Sequence, residues 1–328
     1  FSTFADDGGV DEITTGSGHD IVIAGKGGDN AITTSAGEDK ILGDHGRIVR
    51  SGIGTDNSPI AAIISGICGD TTGSTFTDCT SQGGADGPIN TGAGNDFIIG
   101  GQGGETITTS SDNNVIIGDE GVIGRGWTGL VIDARHDVFS TFADDGGVDE
   151  ITTGSGHDIV IAGEGADNAI TTSAGNNKIL GDHGRIVRSG IGTDNDKISA
   201  IISGICGDTT GSTFTDCTDQ GGADGPINTG VGNDFIIGGQ DGETITASSG
   251  NNVIIGDEGV IDRGWTGLDV DAEYDVFSTF ADDGGVDEIT TGSGHDIVIA
   301  GKGGDNAITT SAGNNKILGD HGRIVRSG

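Results

Sequence analysis

Gly16-Ser17-Gly18-His19-Asp20-Ile21-Val22-Ile23 is the stretch on which the reading of the fold turns. Two glycines let the backbone double back, the aspartate closes the turn, and the apolar triplet is long enough for one short strand. Nine residues earlier Asp11 stands just ahead of Glu12-Ile13-Thr14, and ten residues later Asn30 stands ahead of Ala31-Ile32-Thr33. Asp39, nine beyond Asn30, precedes Lys40-Ile41-Leu42. A unit of this length is too short for a pair of helices. It fits a turn of about six residues plus a short strand, with two units forming a coil that stacks on the next at about 4.8 Å. The spacing predicts an all-β chain wound as a parallel β-solenoid.

The same pattern returns at Gly92-Ala93-Gly94-Asn95-Asp96-Phe97-Ile98-Ile99, where Asp96, Glu105 and Asn114 are again nine apart. Two cassettes result, at about residues 8–44 and 84–119, each ending in Gly-Asp at Asp44 or Asp119. An insertion comes after each cassette, at 47–82 and at 120–138. On a larger scale the segment that opens at Phe1 returns at Phe139 and Phe277, a period of 138 residues. The first two copies differ at 17 positions, and the last 52 residues match the first 52 except at Glu38 and Asp39, which become Asn314 and Asn315. The expected organisation is one repeat over 1–138, a second over 139–276 and the opening of a third over 277–328, as in a piece of a longer array.

Composition sets bounds on function. Gly supplies 67 of 328 residues, Met is absent and aromatics are 4%, so the core must be narrow and built of Ile and Val. Three prolines and no three-residue glycine period exclude collagen. The 51 acids against 15 bases give a net charge of −36, which opposes compaction and disfavours nucleic acid as a partner. The acids sit in short turns ahead of apolar triplets rather than in runs, a placement suited to neutralisation by bound cations. No apolar stretch is long enough for a membrane-spanning helix.

Gly16 to Ile23 and Gly92 to Ile99 resemble the G-G-x-G-x-D-x-U-x nonapeptide of RTX proteins, which forms a calcium-bound parallel β-roll. The resemblance covers both cassettes and is weaker at Gly27 to Ile32 and Asp112 to Ile116, where Asn replaces Asp. The chemistry agrees independently: calcium takes six to eight oxygen ligands in a flexible cage, which carboxylates and the carbonyls of glycine turns supply. Stacking would place Asp20 over Asp39 on one side and Asp11 over Asn30 on the other, with ions between coils. The candidate ligands in the first repeat are Asp11, Asp20, Asp29, Asn30, Asp39, Asp44, Asp96, Glu105 and Asp119. In the second they are Asp149, Asp158, Asp167, Asp182, Asp234, Glu243 and Asp257, and in the third Asp287, Asp296, Asp305 and Asp320. Asp44 and Asp119 either close the last site of a cassette or cap its turn. Several Ca2+ ions are the expected cofactor.

The triplets predict two unlike faces. Those after Asp11 and Asn30 carry polar or small residues on the outside, whereas Ile21, Ile23, Leu42, Phe97, Ile99, Val115 and Ile117 would form an outward apolar stripe. Such a stripe needs a cover. The insertion Ala61 to Cys68 is the favoured one because it recurs in each repeat with apolar residues of its own; a neighbouring chain is the alternative. Cys68 with Cys79, and Cys206 with Cys217, form two C-x10-C pairs that suggest local disulfides in an oxidising compartment. The turn histidines His19, His157 and His295, and those of the closing Gly-Asp-His-Gly at His45, His183 and His321, are expected to be solvated. Trp127 and Trp265 are packing anchors or contact points.

These features favour a calcium-stabilised extracellular or cell-surface protein with a structural or adhesive role, part of a filament or fibre that associates with copies of itself and contacts a surface or glycan. The alternative is the repeat region of a larger secreted effector such as a toxin, protease or lipase. The sequence holds neither H-E-x-x-H nor G-x-S-x-G, which argues against an enzyme.

Overall fold

The computed structural model describes residues 9–50, 60–65, 83–125, 137–141, 146–188, 198–203, 221–263, 275–279 and 284–325. The four cysteines, Trp127 and Trp265 lie outside these residues. Among the described residues the chain is all-β, in three layers.

Two layers make the solenoid. An outer sheet of ten parallel strands begins with Glu12–Thr14 and Ala31–Thr33 and ends with Ala307–Thr309. A middle sheet, also of ten parallel strands, begins with Ile21–Ile23 and Lys40–Leu42 and ends with Lys316–Leu318. Successive strands alternate between the sheets, and each pairs with the strand two units on, in the register Ile13 to Ile32 and Val22 to Ile41. Three residues suffice per strand because the central side chain alone faces the opposing sheet. Ile32, Ile89, Ile107 and Ile151 of the outer sheet meet Ile41, Ile98, Ile116 and Val160 of the middle sheet in one continuous core. Each is fully buried, a gain of about 1.5–3 kcal/mol per side chain.

The second cassette continues the first: Lys40 pairs with Phe97 and Ile32 with Ile89, across an excursion of more than fifty residues. The repeat boundary is equally seamless, since Val115 pairs with Ile159 and Thr106 with Glu150. The coils therefore run without a break through all three copies.

The third layer covers the apolar stripe. After each closing Gly-Asp the chain leaves the coil and builds a nine-stranded antiparallel sheet in chain order, from Gly46–Arg50, Ile60–Ser65, Gly121–Gly124 and Val138–Ser140 through to Arg323–Ile324. Ile60, Ile63, Ile123 and Val138 pack on Leu42, Phe97, Ile99, Val115 and Ile117 of the middle sheet. The insertion expected to serve as cover does so through Ile60–Ser65. It is one strand of four per repeat, and the segments around 46–50, 121–124 and 138–140 share the task. The opposite face of this sheet is apolar as well, with Ile64, Val122, Phe139, Ile202 and Val260 all buried.

Candidate metal centre

Each coil has two turns, so the solenoid has two edges. The first edge carries the turns from the outer to the middle sheet, and the second those from the middle to the outer.

On the first edge the residue before each middle strand forms a vertical ladder in which one side-chain oxygen accepts the backbone N–H of its counterpart in the preceding coil. Asp20 N–H donates to Asp39 Oδ1 at 2.9 Å, Asp39 to Asp96 at 2.9 Å, Asp96 to Asn114 at 3.1 Å and Asn114 to Asp158 at 2.9 Å. The ladder continues through Asn177, Asp234, Asn252 and Asp296 to Asn315. From Asp96 onward acid and amide alternate, so no two carboxylates are neighbours. Hydroxyls help: Thr15, Thr153 and Thr291 donate to Oδ2 of Asp20, Asp158 and Asp296 at 2.7–2.8 Å. Oδ2 of Asp39, Asp96 and Asp234 is buried with no hydrogen-bond partner, so this edge is satisfied only in part.

The second edge is different. Asp11 N–H donates to Asn30 Oδ1 at 2.9 Å, Asn30 to Asp86 at 3.3 Å, Asp86 to Glu105 Oε1 at 3.1 Å and Glu105 to Asp149 Oδ1 at 2.7 Å. Here three acids, Asp86, Glu105 and Asp149, are stacked in succession before Asn168 interrupts them. Glu243, Asp287 and Asn306 repeat the series one period on. Asp86 and its copy Asp224 are absent from the set expected from sequence. In Asp86-Gly87-Pro88-Ile89 the acid stands three places before the inward isoleucine rather than two. Counting ten back from Asp96 would have found it.

The closing aspartates complete this edge. The chain departs to the cover sheet there, and Asp119 turns its side chain into the gap left in the turn stack, with Oδ1 accepting Gly147 N–H at 3.3 Å. Glu105, Asp119 and Asp149 come together with their ligand oxygens within 4.8 Å of one another, and Glu243, Asp257 and Asp287 form the same trio in the next repeat. All six are buried. Asp44 and Asp182 are placed equivalently, accepting the Gln102 and Gln240 N–H at 2.7 and 2.6 Å, beside Asp86 and Asp224 respectively. Asp29, Asp167 and Asp305 stand apart: they are exposed, and the neighbouring Asn30, Asn168 and Asn306 take the ladder positions. Asp29 and Asp167 instead supply the left-handed corner, at φ 65° and 75°. Asp320 is exposed at the last described coil.

The electrostatics call for cations. Burial pushes Asp149 up to about 7, and burial together with Asp44 pushes Asp86 up to about 8. Burial first, then the charges of Asp149 and Asp119, raise Glu105 well above the ordinary range. Asp257 rises to about 8 through burial and Asp287. The leading charges acting on Glu105 and Asp119 are all carboxylates. Asp86 Oδ2, Glu105 Oε2, Asp119 Oδ2 and Asp149 Oδ2 are buried with no hydrogen-bond partner, a costly arrangement without a counterion. Oxygens on opposite sides of a calcium ion lie about 4.6–5.2 Å apart, which matches the spread of the trio. An all-oxygen set suits calcium rather than zinc. Glycines keep the space open, since a Cβ at Gly118 would overlap Asp149 Oδ2, and one at Gly163, at φ 106°, would overlap Asp119 Oδ2.

The histidines are not all solvated. His183 is buried, and burial lowers it to about 4; His45 is buried too. His19, His157 and His295 join an outer ladder on the first edge, each accepting a backbone N–H at Nδ1 from Glu38, Asn176 and Asn314 at 2.8–2.9 Å. Their position in the turn puts the imidazole directly over the next coil.

Fold and site together define a parallel β-solenoid whose acid-lined turns are built for cations. The model of the RTX calcium-binding nonapeptide repeat (4 copies) matches residues 3–31, 83–116, 99–122, 141–169, 237–260, 279–307 and 301–323, just over half of the chain. The chain belongs to this family, whose Asp/Gly-rich turns bind Ca2+ and whose repeats are structural rather than catalytic. No curated protein and no solved structure matches it.

Proposed function

We propose that this chain is a section of an extracellular, calcium-stiffened rod with a structural or adhesive role. The observation that carries the reading is the buried acid trio, Glu105 with Asp119 and Asp149, recurring one period later within an unbroken solenoid. Each trio would hold one calcium ion, and the acid pairs Asp44–Asp86 and Asp182–Asp224 would hold others. The ions supply the positive charge that a chain of net charge −36 lacks, so folding and metal binding are coupled. A secretory route would carry the calcium-free polyanion out of the cell, and external calcium would set it into its coil. RTX-type repeat proteins are typically extracellular, which supports that location. Lateral or end-to-end association with further copies would build a fibre.

Circular dichroism and electron microscopy before and after chelation test this reading. Loss of the β signal and of rods on chelation, with recovery on adding calcium but not equimolar magnesium, is the expected result. Rods unchanged without calcium would sink it. Compact particles that never associate would favour a repeat region serving a larger secreted effector.

A further inference from the structure

On the first edge, between the middle and cover sheets where the second repeat meets the third, lies a cavity of about 320 Å3. Its floor is apolar: Phe235 is half-buried, and Val253 and Ile297 are 6% and 8% exposed. The Arg263 guanidinium lies over the Phe235 ring, 5.0 Å from its centre, and is itself exposed. The rim is the outer ladder of turn residues. Asn233 Oδ1 accepts Asn251 N–H at 2.8 Å and Asn251 Oδ1 accepts His295 N–H at 2.8 Å. His295 Nδ1 accepts Asn314 N–H at 2.9 Å.

That ladder fixes which groups remain for a ligand. Each rim acceptor named above is occupied by a backbone N–H, so the amino groups of Asn233 and Asn251 turn away from the ladder, and the proton of neutral His295 sits on Nε2. With Arg263, the open side of the cavity presents donors. A site of this kind selects a ligand rich in acceptors and favours one with negative charge.

The first repeat shows which group such donors attract. Its equivalent site has Asn95, Phe97, Asn113, Arg125 and His157, with Arg125 4.5 Å from the Phe97 ring centre. There the position of Asn176 is held by Glu38, whose Oε1 accepts Asn95 Nδ2 at 3.4 Å and whose Oε2 lies 3.9 Å from Lys40 Nζ. The protein's own carboxylate engages Asn95 and acts on the Arg125 charge, and Phe97 and Val115 beneath are closed off at 1% and 0% exposure. Asn176 in the second repeat removes that carboxylate, and Phe235 below is opened.

We infer that the cavity bounded by Asn233, Asn251, His295 and Arg263 over Phe235 binds an acidic sugar, a uronate-type ring whose carboxylate takes the place that Glu38 fills in the first repeat. The volume exceeds what a bare carboxylate needs and lies within the range of small-ligand sites. The amide and imidazole donors would meet ring hydroxyls, and the apolar floor would meet the C–H face of the sugar. Overall negative charge does not forbid this: charges beyond about 8 Å are screened at physiological salt, and the nearer Asp234 and Asp296 spend an oxygen each on the inner ladder, accepting Asn177 and Asn252 N–H. The inference goes beyond the calcium reading and uses the other edge of the solenoid.

Calorimetric titration of the full chain in saturating calcium, with galacturonate, galactose and acetate as separate ligands, tests it. Galacturonate should bind at one site per chain, and galactose and acetate each at least about tenfold more weakly, as expected for a lost charge-assisted contact or lost hydroxyl contacts. Asn176→Glu, which copies the first repeat, should weaken galacturonate at least about tenfold, while Glu38→Asn should open a second site and raise the stoichiometry to two. Circular dichroism of both variants, expected to match the parent chain, checks that each keeps the fold. Undiminished binding to Asn176→Glu, which calcium bridging to the acidic edge would produce, overturns the proposal, as does the absence of galacturonate binding. Galactose binding as tightly would refute the anionic requirement, and acetate binding as tightly would refute the sugar.

Discussion

At the residue scale, one side-chain type serves two ends. Where Asp alternates with Asn, as from Asp96 to Asn315 on the first edge, amides separate the carboxylates, so the orphaned Oδ2 atoms of Asp96 and Asp234 have no acid as ladder neighbour. Where Asp, Glu and Asp succeed one another, as at Asp86, Glu105 and Asp149, orphaned oxygens accumulate. Asp119→Asn therefore has effects of opposite sign. With calcium present it should weaken binding about tenfold through loss of a charged ligand. Without calcium it should stabilise the fold by about 1 kcal/mol, since one buried like charge is gone. Calcium titrations and denaturant melts of the variant check both, and destabilisation in both states would count against a metal-ligand role. Proton linkage gives a second prediction. Asp86, Asp149 and Asp257 rise from 3.8 to about 8, 7 and 8 on folding, so the native state holds more protons than the unfolded chain. The stabilisation from protonating them is complete below about pH 4 and is lost as pH climbs through 7 to 8. The calcium-free protein should melt at least about 5 °C higher at pH 5 than at pH 8. Calcium affinity should fall over the same acid range, because the ion competes with those protons.

At the element scale, a three-residue strand contributes one side chain to the solenoid core and two to the opposite face. In the outer sheet those two are Glu12 and Thr14 or Ala31 and Thr33, and water suits them. In the middle sheet they are pairs such as Phe97 with Ile99, which the cover sheet must bury. The cover sheet is thus required for stability and is more than decoration. Ile123→Ala or Ile201→Ala, both fully buried against the middle sheet, should each cost about 2–4 kcal/mol. Thr106→Ala on the exposed outer face should change stability by less than about 0.5 kcal/mol. Equilibrium unfolding in calcium gives both figures, and a neutral Ile123→Ala would contradict the three-layer packing.

For the whole molecule, the absence of any break at the repeat boundary means that length scales with copy number. Each full copy contributes four strands to each parallel sheet, an advance of about 19 Å at the usual strand spacing. Inserting one further 138-residue copy should lengthen the calcium-loaded particle by that amount in small-angle scattering, with little change in cross-section. A particle that grows in width instead would show that copies fold as separate bodies. Chelation should expand the particle, since the charge of −36 then acts without counterions.

Much of this was legible from residues a few places apart. The spacing of nine or ten residues between Asp11, Asp20, Asn30 and Asp39 determined the coil, its two edges, the inward isoleucines and the unlike faces, because turn and strand geometry act locally and repeat with the sequence. Asp86 escaped because Gly87-Pro88 lengthens its turn by one residue, and the histidine ladder escaped because its partners are 18 to 57 residues away. What covers the apolar stripe, and which acids share one site, were settled by tertiary structure alone. Glu105 meets Asp149 only because the chain leaves the solenoid at Asp119, builds part of the cover sheet and re-enters in register, and no local spacing encodes where an excursion returns. Packing decides that return, through the burial of Phe97, Val115 and Ile117 beneath Ile63, Ile123 and Val138.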